Sequence, residues 1–162
     1  MDQAHIHLLI THLPIFGALC GAIVLAYGLW AKSNATNIAA YLVLLLSSIG
    51  AGIAYLTGEG AEEKVEHLEG VTRHAIHEHE HFALYALISL IVLGVAALIA
   101  WFLTRTRPTT GRTMGILVLL LALISFGLVA RTGYLGGQIR HTEIVDGALQ
   151  PAENPTDHHD GD

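Results

Sequence analysis

Four uninterrupted apolar stretches, Leu13–Ala31, Ile38–Thr57, Phe82–Leu103 and Met114–Tyr134, constrain this chain more than any other feature. Each is about as long as the ~20 residues a helix needs to cross the hydrocarbon core of a bilayer. None contains an acid, and the one base among them is Arg131, near the end of the fourth. A soluble amphipathic helix carries polar residues every third or fourth position. Tyr41–Ile49 (YLVLLLSSI) and Ile116–Ile124 (ILVLLLALI) carry almost none, so a soluble bundle fits the pattern poorly. The expected fold is all-α, an integral membrane four-helix bundle over residues 1–147. The Pro-, Asp- and Gly-rich tail, 148–162, is too polar to join a packed core and is expected to be disordered.

Composition agrees. Of 162 residues 52% are hydrophobic and only 14% charged, where about 25% is usual in soluble domains. One domain is the natural count. No basic patch interleaved with aromatics is present, which argues against nucleic acid as a partner. Cys20, the only cysteine, lies within the first stretch, cannot form an internal disulfide, and is expected to act as a small hydrophobe. The leader Met1–Leu9 has no Lys or Arg, so the first stretch lacks the positive n-region of a cleaved signal and is expected to be retained.

The formal charge of −6 hides a segregation. All 11 histidines and all 14 acidic residues lie before the first stretch, between the second and third, or after the fourth. The other two connections, Lys32–Asn37 and Thr104–Thr113, carry only Lys32, Arg105, Arg107 and Arg112 as charges. Four crossings put the three acidic, histidine-bearing regions on one face. Bases concentrated in short loops mark the cytoplasmic side. Lys64, Arg73, Arg131 and Arg140 lie on the opposite side but are spread among acids. The expected setting is the bilayer of a bacterial inner membrane, crossed several times, with both termini periplasmic.

Imidazoles and carboxylates gathered at the mouth of a helical bundle point to a metal or haem site. Four segments supply them. The first holds His5-Ile-His7 and Thr11-His12-Leu13-Pro14. On a helix, His5 and His12 share a face, and burying His12 in lipid without a partner is costly. Pro14 suits a first helical turn, so Ala4–His12 is expected as a separate interfacial turn. In the second segment, Gly58 and Gly60 are expected to end a helix and to project Glu59 near the mouth, with Glu62 following. The third runs from His74 to Phe82. There His74, His77 and His81 fall within a narrow helical arc, and the i, i+4 pair His77/His81 can reach one ion. His79 points elsewhere. The fourth ends the last stretch with Arg131, Gly133, Gly136, Gly137, Arg140 and His141, its glycines expected to bend the chain over the mouth. For Arg131 the sequence offers Glu59 or a haem propionate as the anion. A solvated histidine loop and a structural Glu59–Arg131 ion pair remain alternatives.

These motifs, in order along the chain, resemble a family. The pattern of His5 with Thr11-His12-Leu13-Pro14-Ile15, the turn Gly58-Glu59-x-Ala61-Glu62, His79-Glu80 before an apolar run, and Thr132-Gly133-Tyr134-Leu135-Gly136-Gly137 are similar to motifs of the bacterial membrane family called domain of unknown function 2231. The resemblance covers roughly Ala4 to Gly147. It implies a four-helix membrane protein in an electron-transfer setting, since some members are joined to Rieske or c-type cytochrome domains. The chain departs from the pattern in the extra histidines before its third stretch and in Arg140-His141.

Three functions follow. The first is a membrane electron-transfer protein with a b-type haem held by His12 and by His79 or His81, with Arg131 or Arg140 on the propionates and Gly17, Gly21 and Gly94 making room for the macrocycle. Its partners would be quinol, a periplasmic cytochrome or a Rieske protein. The second is a non-haem zinc, iron or copper site drawn from His5, His12, Glu59, Glu62, His77, His79, His81 and His141. The third is a cofactor-free accessory subunit of a larger membrane redox complex, docking a basic partner on its acidic face. No nucleophile–base arrangement and no phosphate-binding loop names an enzyme.

Overall fold

The computed structural model describes residues 3–65 and 71–140, leaving aside the side chains of 108, 109 and 140. All regular structure in these residues is helical: α1 (Gln3–Ile10), α2 (His12–Trp30), α3 (Asn34–Val65), α4 (Arg73–Thr106) and α5 (Pro108–Arg140). His141 and the tail 148–162 lie outside the described residues.

The α1–α2 break is slight. Thr11 keeps helical angles (φ −61°, ψ −24°), and its N–H still reaches the His7 carbonyl at 3.0 Å. Pro14 has no N–H to offer Ile10, which interrupts the ladder there. The expected separate turn is thus a helix leading almost directly into the first crossing. Counted together, α1 and α2 span 28 residues, and all four resulting rods are long and apolar enough to cross a membrane.

The rods form a closed ring. α2 packs on α3, α3 on α4, α4 on α5, and α5 returns to α2, while α1 lies against α3. Consecutive rods are antiparallel because their connections are short. Helix α2 ends in a Schellman turn. The Ser33 N–H reaches the Gly28 carbonyl at 2.9 Å, the Lys32 N–H reaches that of Leu29 at 3.4 Å, and Lys32 takes the left-handed backbone (φ 53°) that such a turn requires. The expected loop Thr104–Thr113 shrinks to Arg107, with helix on either side. Gly111 permits this turn: a Cβ there would sit 2.6 Å from the Thr104 backbone.

Packing follows membrane rules. The interior holds Ala18, Ala22, Ala40, Ala86, Ala97, Ala100 and Ala122, while Ile23, Leu46, Leu56, Val95, Phe102 and Ile124 face outward. The small residues let the rods approach closely, as suits a lipid solvent, and Leu25, Tyr41, Leu44, Leu90 and Leu93 fill the interior between them. Two adjacent serines on α3 tie it to both neighbours: Ser47 donates to the Pro14 carbonyl at 3.0 Å, and Ser48 to that of Leu90 at 2.6 Å. Each serine meets a glycine, Gly17 and Gly94, where a Cβ would come within 2.8 and 2.7 Å of it. Gly21 is covered by Leu44 in the same way. The space these three glycines leave is therefore filled by helix contacts, which corrects the expectation that they make room for a macrocycle. Cys20 is exposed on the outer face.

Exposed aromatics mark two levels. Tyr27 and Trp30 lie at one end of the bundle and Tyr55, Tyr85 and Tyr134 at the other, as expected of rings that settle at the two water–lipid boundaries. On α4, Tyr85 and Trp101 are sixteen residues apart, about 24 Å of helix. Helix α4, with 34 residues, therefore runs well past this band, and its N-terminal turns carry histidines beyond it.

Candidate functional site

The histidine-bearing end of the bundle is built from α1, the last turns of α3, the first turns of α4 and the last turns of α5. Two imidazoles there are fixed by the same device. His7, on α1, places Nδ1 2.8 Å from the Ala54 carbonyl of α3, with the Thr57 hydroxyl at 3.3 Å. His79, on α4, places Nδ1 3.0 Å from the Thr132 carbonyl of α5. A carbonyl can only accept, so each Nδ1 carries the hydrogen and donates it. Nε2 is left as the lone-pair nitrogen.

The seat under each ring is a glycine four residues beyond the accepting carbonyl. A Cβ on Gly58 would lie 3.6 Å from the His7 Cε1, and one on Gly136 would lie 3.0 Å from the His79 Cε1. These glycines are helical, and so is Gly60, which lies under Gln3 of α1. The expectation that Gly58 and Gly60 end a helix is corrected: α3 continues to Val65. Likewise α5 runs straight through Gly133, Gly136 and Gly137 to Arg140 rather than bending over the mouth. In both cases the missing side chain admits a neighbouring helix, and the ladder stays intact.

His79 is half-buried, and Ile76 on α4 and Leu135 and Ile139 on α5 are buried in the same turns of the two helices. His79 lies outside the apolar stretch Phe82–Leu103. Burial pushes its pKa below the ordinary histidine value of 6.5. The Thr132 carbonyl opposes that shift, a charge on His7 adds to it, and Glu80 opposes it. A charge on the His7 ring thus disfavours protonation of His79.

The remaining histidines are placed differently. His12 is exposed, with Nδ1 2.9 Å from the carbonyl of Leu8 on its own rod and its ring stacked on Phe16. His81 is exposed beside His77 and Tyr85. His5, His74 and Glu59 are exposed, and Glu62 is partly buried. Of the histidines singled out as ligands, the structure thus seats His79 inside the mouth and turns His12 and His81 outward. It also brings in His7, noted in the sequence only as part of His5-Ile-His7.

Arg131 is exposed and lies over two rings, with Cζ 5.6 Å from the Phe82 centroid and 5.4 Å from that of Tyr134. It forms no ion pair with Glu59, one of the two anions the sequence offered it. Arg140 ends α5, with its side chain outside the described residues. Among the described residues, no three His, Cys, Asp or Glu side chains converge to hold a metal ion.

Comparison with protein-family models, with curated proteins and with solved structures gives no match for this chain. What the fold and site define is a class: a helical bundle of membrane-crossing dimensions with two imidazoles at one mouth, each anchored to a carbonyl of a neighbouring helix.

Proposed function

We propose that this chain is a membrane electron-transfer protein, or an electron-transfer subunit, in which His7 and His79 ligate a b-type haem at the outer mouth of the bundle. The observation that carries the reading is the pair of imidazoles anchored through Nδ1–H to carbonyls of a neighbouring helix, whereas His12 bonds only within its own rod. A ligating histidine is usually held in this way, because the bond fixes the tautomer and aims Nε2. His7 and His79, each with Nε2 free, would hold the haem iron as a pair of nitrogen donors. The pair fits a mixed His/Glu site less well, since no third donor converges with them among the described residues. When bound, the haem iron supplies one-electron exchange.

The chain's own contributions are positional. Ala54 and Thr132 orient the rings, Gly58 and Gly136 let them seat, and Ile76, Leu135 and Ile139 exclude water beside His79. Arg131, held between two aromatic rings, offers its guanidinium to a propionate. In this reading the membrane is a bacterial inner membrane, the mouth and both termini face the periplasm, and the bases Lys32, Arg105, Arg107 and Arg112 face the cytoplasm. Quinol, a periplasmic cytochrome or a Rieske protein would exchange electrons there, in keeping with the resemblance to the domain of unknown function 2231 family.

Titrating the cofactor-free, detergent-solubilised chain with haem b tests this. The expected result is saturable binding of one haem per chain with a Soret band. Binding is lost in His7→Ala and in His79→Ala and kept in His12→Ala. Equal titration of all four proteins would contradict the assignment.

A further inference from the structure

Apart from the mouth, α4 carries a second pair of imidazoles that the haem reading does not use. His77 and His81 are exposed, one turn apart, and their ring centroids lie 4.9 Å from each other at an interplanar angle of 54°. The Glu80 carboxylate lies 3.6 Å from the His77 Nδ1. We propose that His77 and His81 form a capture site for one divalent ion of the Zn²⁺, Cu²⁺ or Ni²⁺ kind, on the water-facing surface of α4 and separate from the mouth.

Geometry supports this first. With nitrogen–metal bonds of about 2.0–2.1 Å, two imidazoles sharing one ion have centroids on the order of 5 Å apart. The rings already stand at that spacing, so small side-chain rotations complete the chelate. The i, i+4 spacing on a helix is what lets both reach one ion. Glu80 supplies the second argument. A carboxylate beside the His77 Nδ1 favours the hydrogen on that nitrogen, which leaves Nε2 for the metal, the outer-carboxylate arrangement common at histidine sites. Third, imidazole donors select borderline transition ions over Ca²⁺ and Mg²⁺, which require oxygen shells.

Residues 77–81 read H-E-H-E-H and so spell the H-E-x-x-H of zinc hydrolases. Hydrolysis does not follow. Those enzymes use three protein ligands, and among the described residues no third donor converges here. Glu78 is itself exposed. The site binds, with water completing the shell. His79, lying between the two in sequence, turns to α5 and takes no part, so metal capture and haem ligation are independent.

The test is calorimetric titration of the full chain in detergent with zinc chloride, in a parent where His158 and His159 of the tail are both replaced by Ala. The parent is expected to bind one Zn²⁺ per chain. His77→Ala and His81→Ala should weaken binding by roughly tenfold or more, and Glu80→Gln by less. His79→Ala should bind zinc like the parent while losing haem, which separates this inference from the haem reading. Absence of zinc binding in the parent, undiminished binding in both His77→Ala and His81→Ala, or loss in His79→Ala with those two unaffected would overturn it. Circular dichroism of each variant checks that α4 persists, as expected for exposed positions.

Discussion

Two adjacent glycines near the end of α5 separate a packed seat from an open surface. A Cβ on Gly137 would meet nothing within 4 Å, whereas one on Gly136 would stand 3.0 Å from the Cε1 and 3.3 Å from the Nδ1 of His79. Both residues are helical, so replacement by Ala recovers the same backbone entropy, about 1 kcal/mol at an interior position. At Gly137 that gain is expected to appear nearly whole. At Gly136 the imidazole must retreat by a few tenths of an ångström, and its retreat lengthens the 3.0 Å bond to the Thr132 carbonyl. Losing such a bond costs about 0.5–1.5 kcal/mol, which offsets half or more of the gain. The two variants should therefore differ by about 0.5–1.5 kcal/mol. Equilibrium unfolding in mixed micelles measures the difference, and haem titration supplies a second readout: Gly137→Ala should bind like the parent and Gly136→Ala should bind more weakly. If Gly136→Ala stabilises the protein as much as Gly137→Ala does, His79 is not seated on α5 as described.

The remaining predictions concern packing, the turn and pH. Gly94→Ala should destabilise by about 1–3 kcal/mol through overpacking against Ser48, whose atoms lie within 2.8 Å of the new methyl; Gly127→Ala, with nothing within 4 Å, should not, and unfolding midpoints compare them. Lys32→Gly should stabilise by about 1 kcal/mol, because a side chain at φ 53° carries a steric cost that glycine lacks; the same unfolding assay reads it. In the cofactor-free protein, burial holds His79 below 6.5, so the unfolded chain binds this proton more readily. Its contribution is then present in full above that value and is lost as pH falls through it toward the lower folded value. Unfolding measured from neutral to mildly acidic pH should show that loss, and it should be smaller in His79→Gln.

The four crossings were legible because lipid imposes one demand on every residue of a run, and a run of about 20 records it plainly. Elongation of the helices past the bilayer was not. Gly58, Gly60, Gly133, Gly136 and Gly137 read as helix ends, since a glycine in isolation signals a cap more often than a seat. Only the opposing side chains, His7, Gln3, Ile15 and His79, reveal why the ladder continues through Gly58, Gly60, Gly133 and Gly136; Gly137 meets no side chain. Choosing among the histidines met the same obstacle. His12 looked committed because it opens an apolar stretch, yet α2 is rotated so that it faces out, and a helix with large residues on one side and small ones on the other fixes that rotation. The buried side of α2 includes Gly17, Ala18, Gly21, Ala22 and Leu25, and His12 does not belong to it. His79 was recognisable as differing from His77 and His81 by its place on the helix. Its partner His7 was hidden because the segment before Pro14 gave no pattern long enough to define a face.

The account rests on His7 and His79 acting as paired ligands, and the oxidised and dithionite-reduced visible spectra of the full chain, purified without added cofactor from its own membrane, test that most directly. The expected spectrum has a Soret band that sharpens on reduction and a resolved α-band, both absent in His7→Ala and in His79→Ala. A spectrum without haem bands, or one that survives in the His7→Ala/His79→Ala double variant, would contradict it.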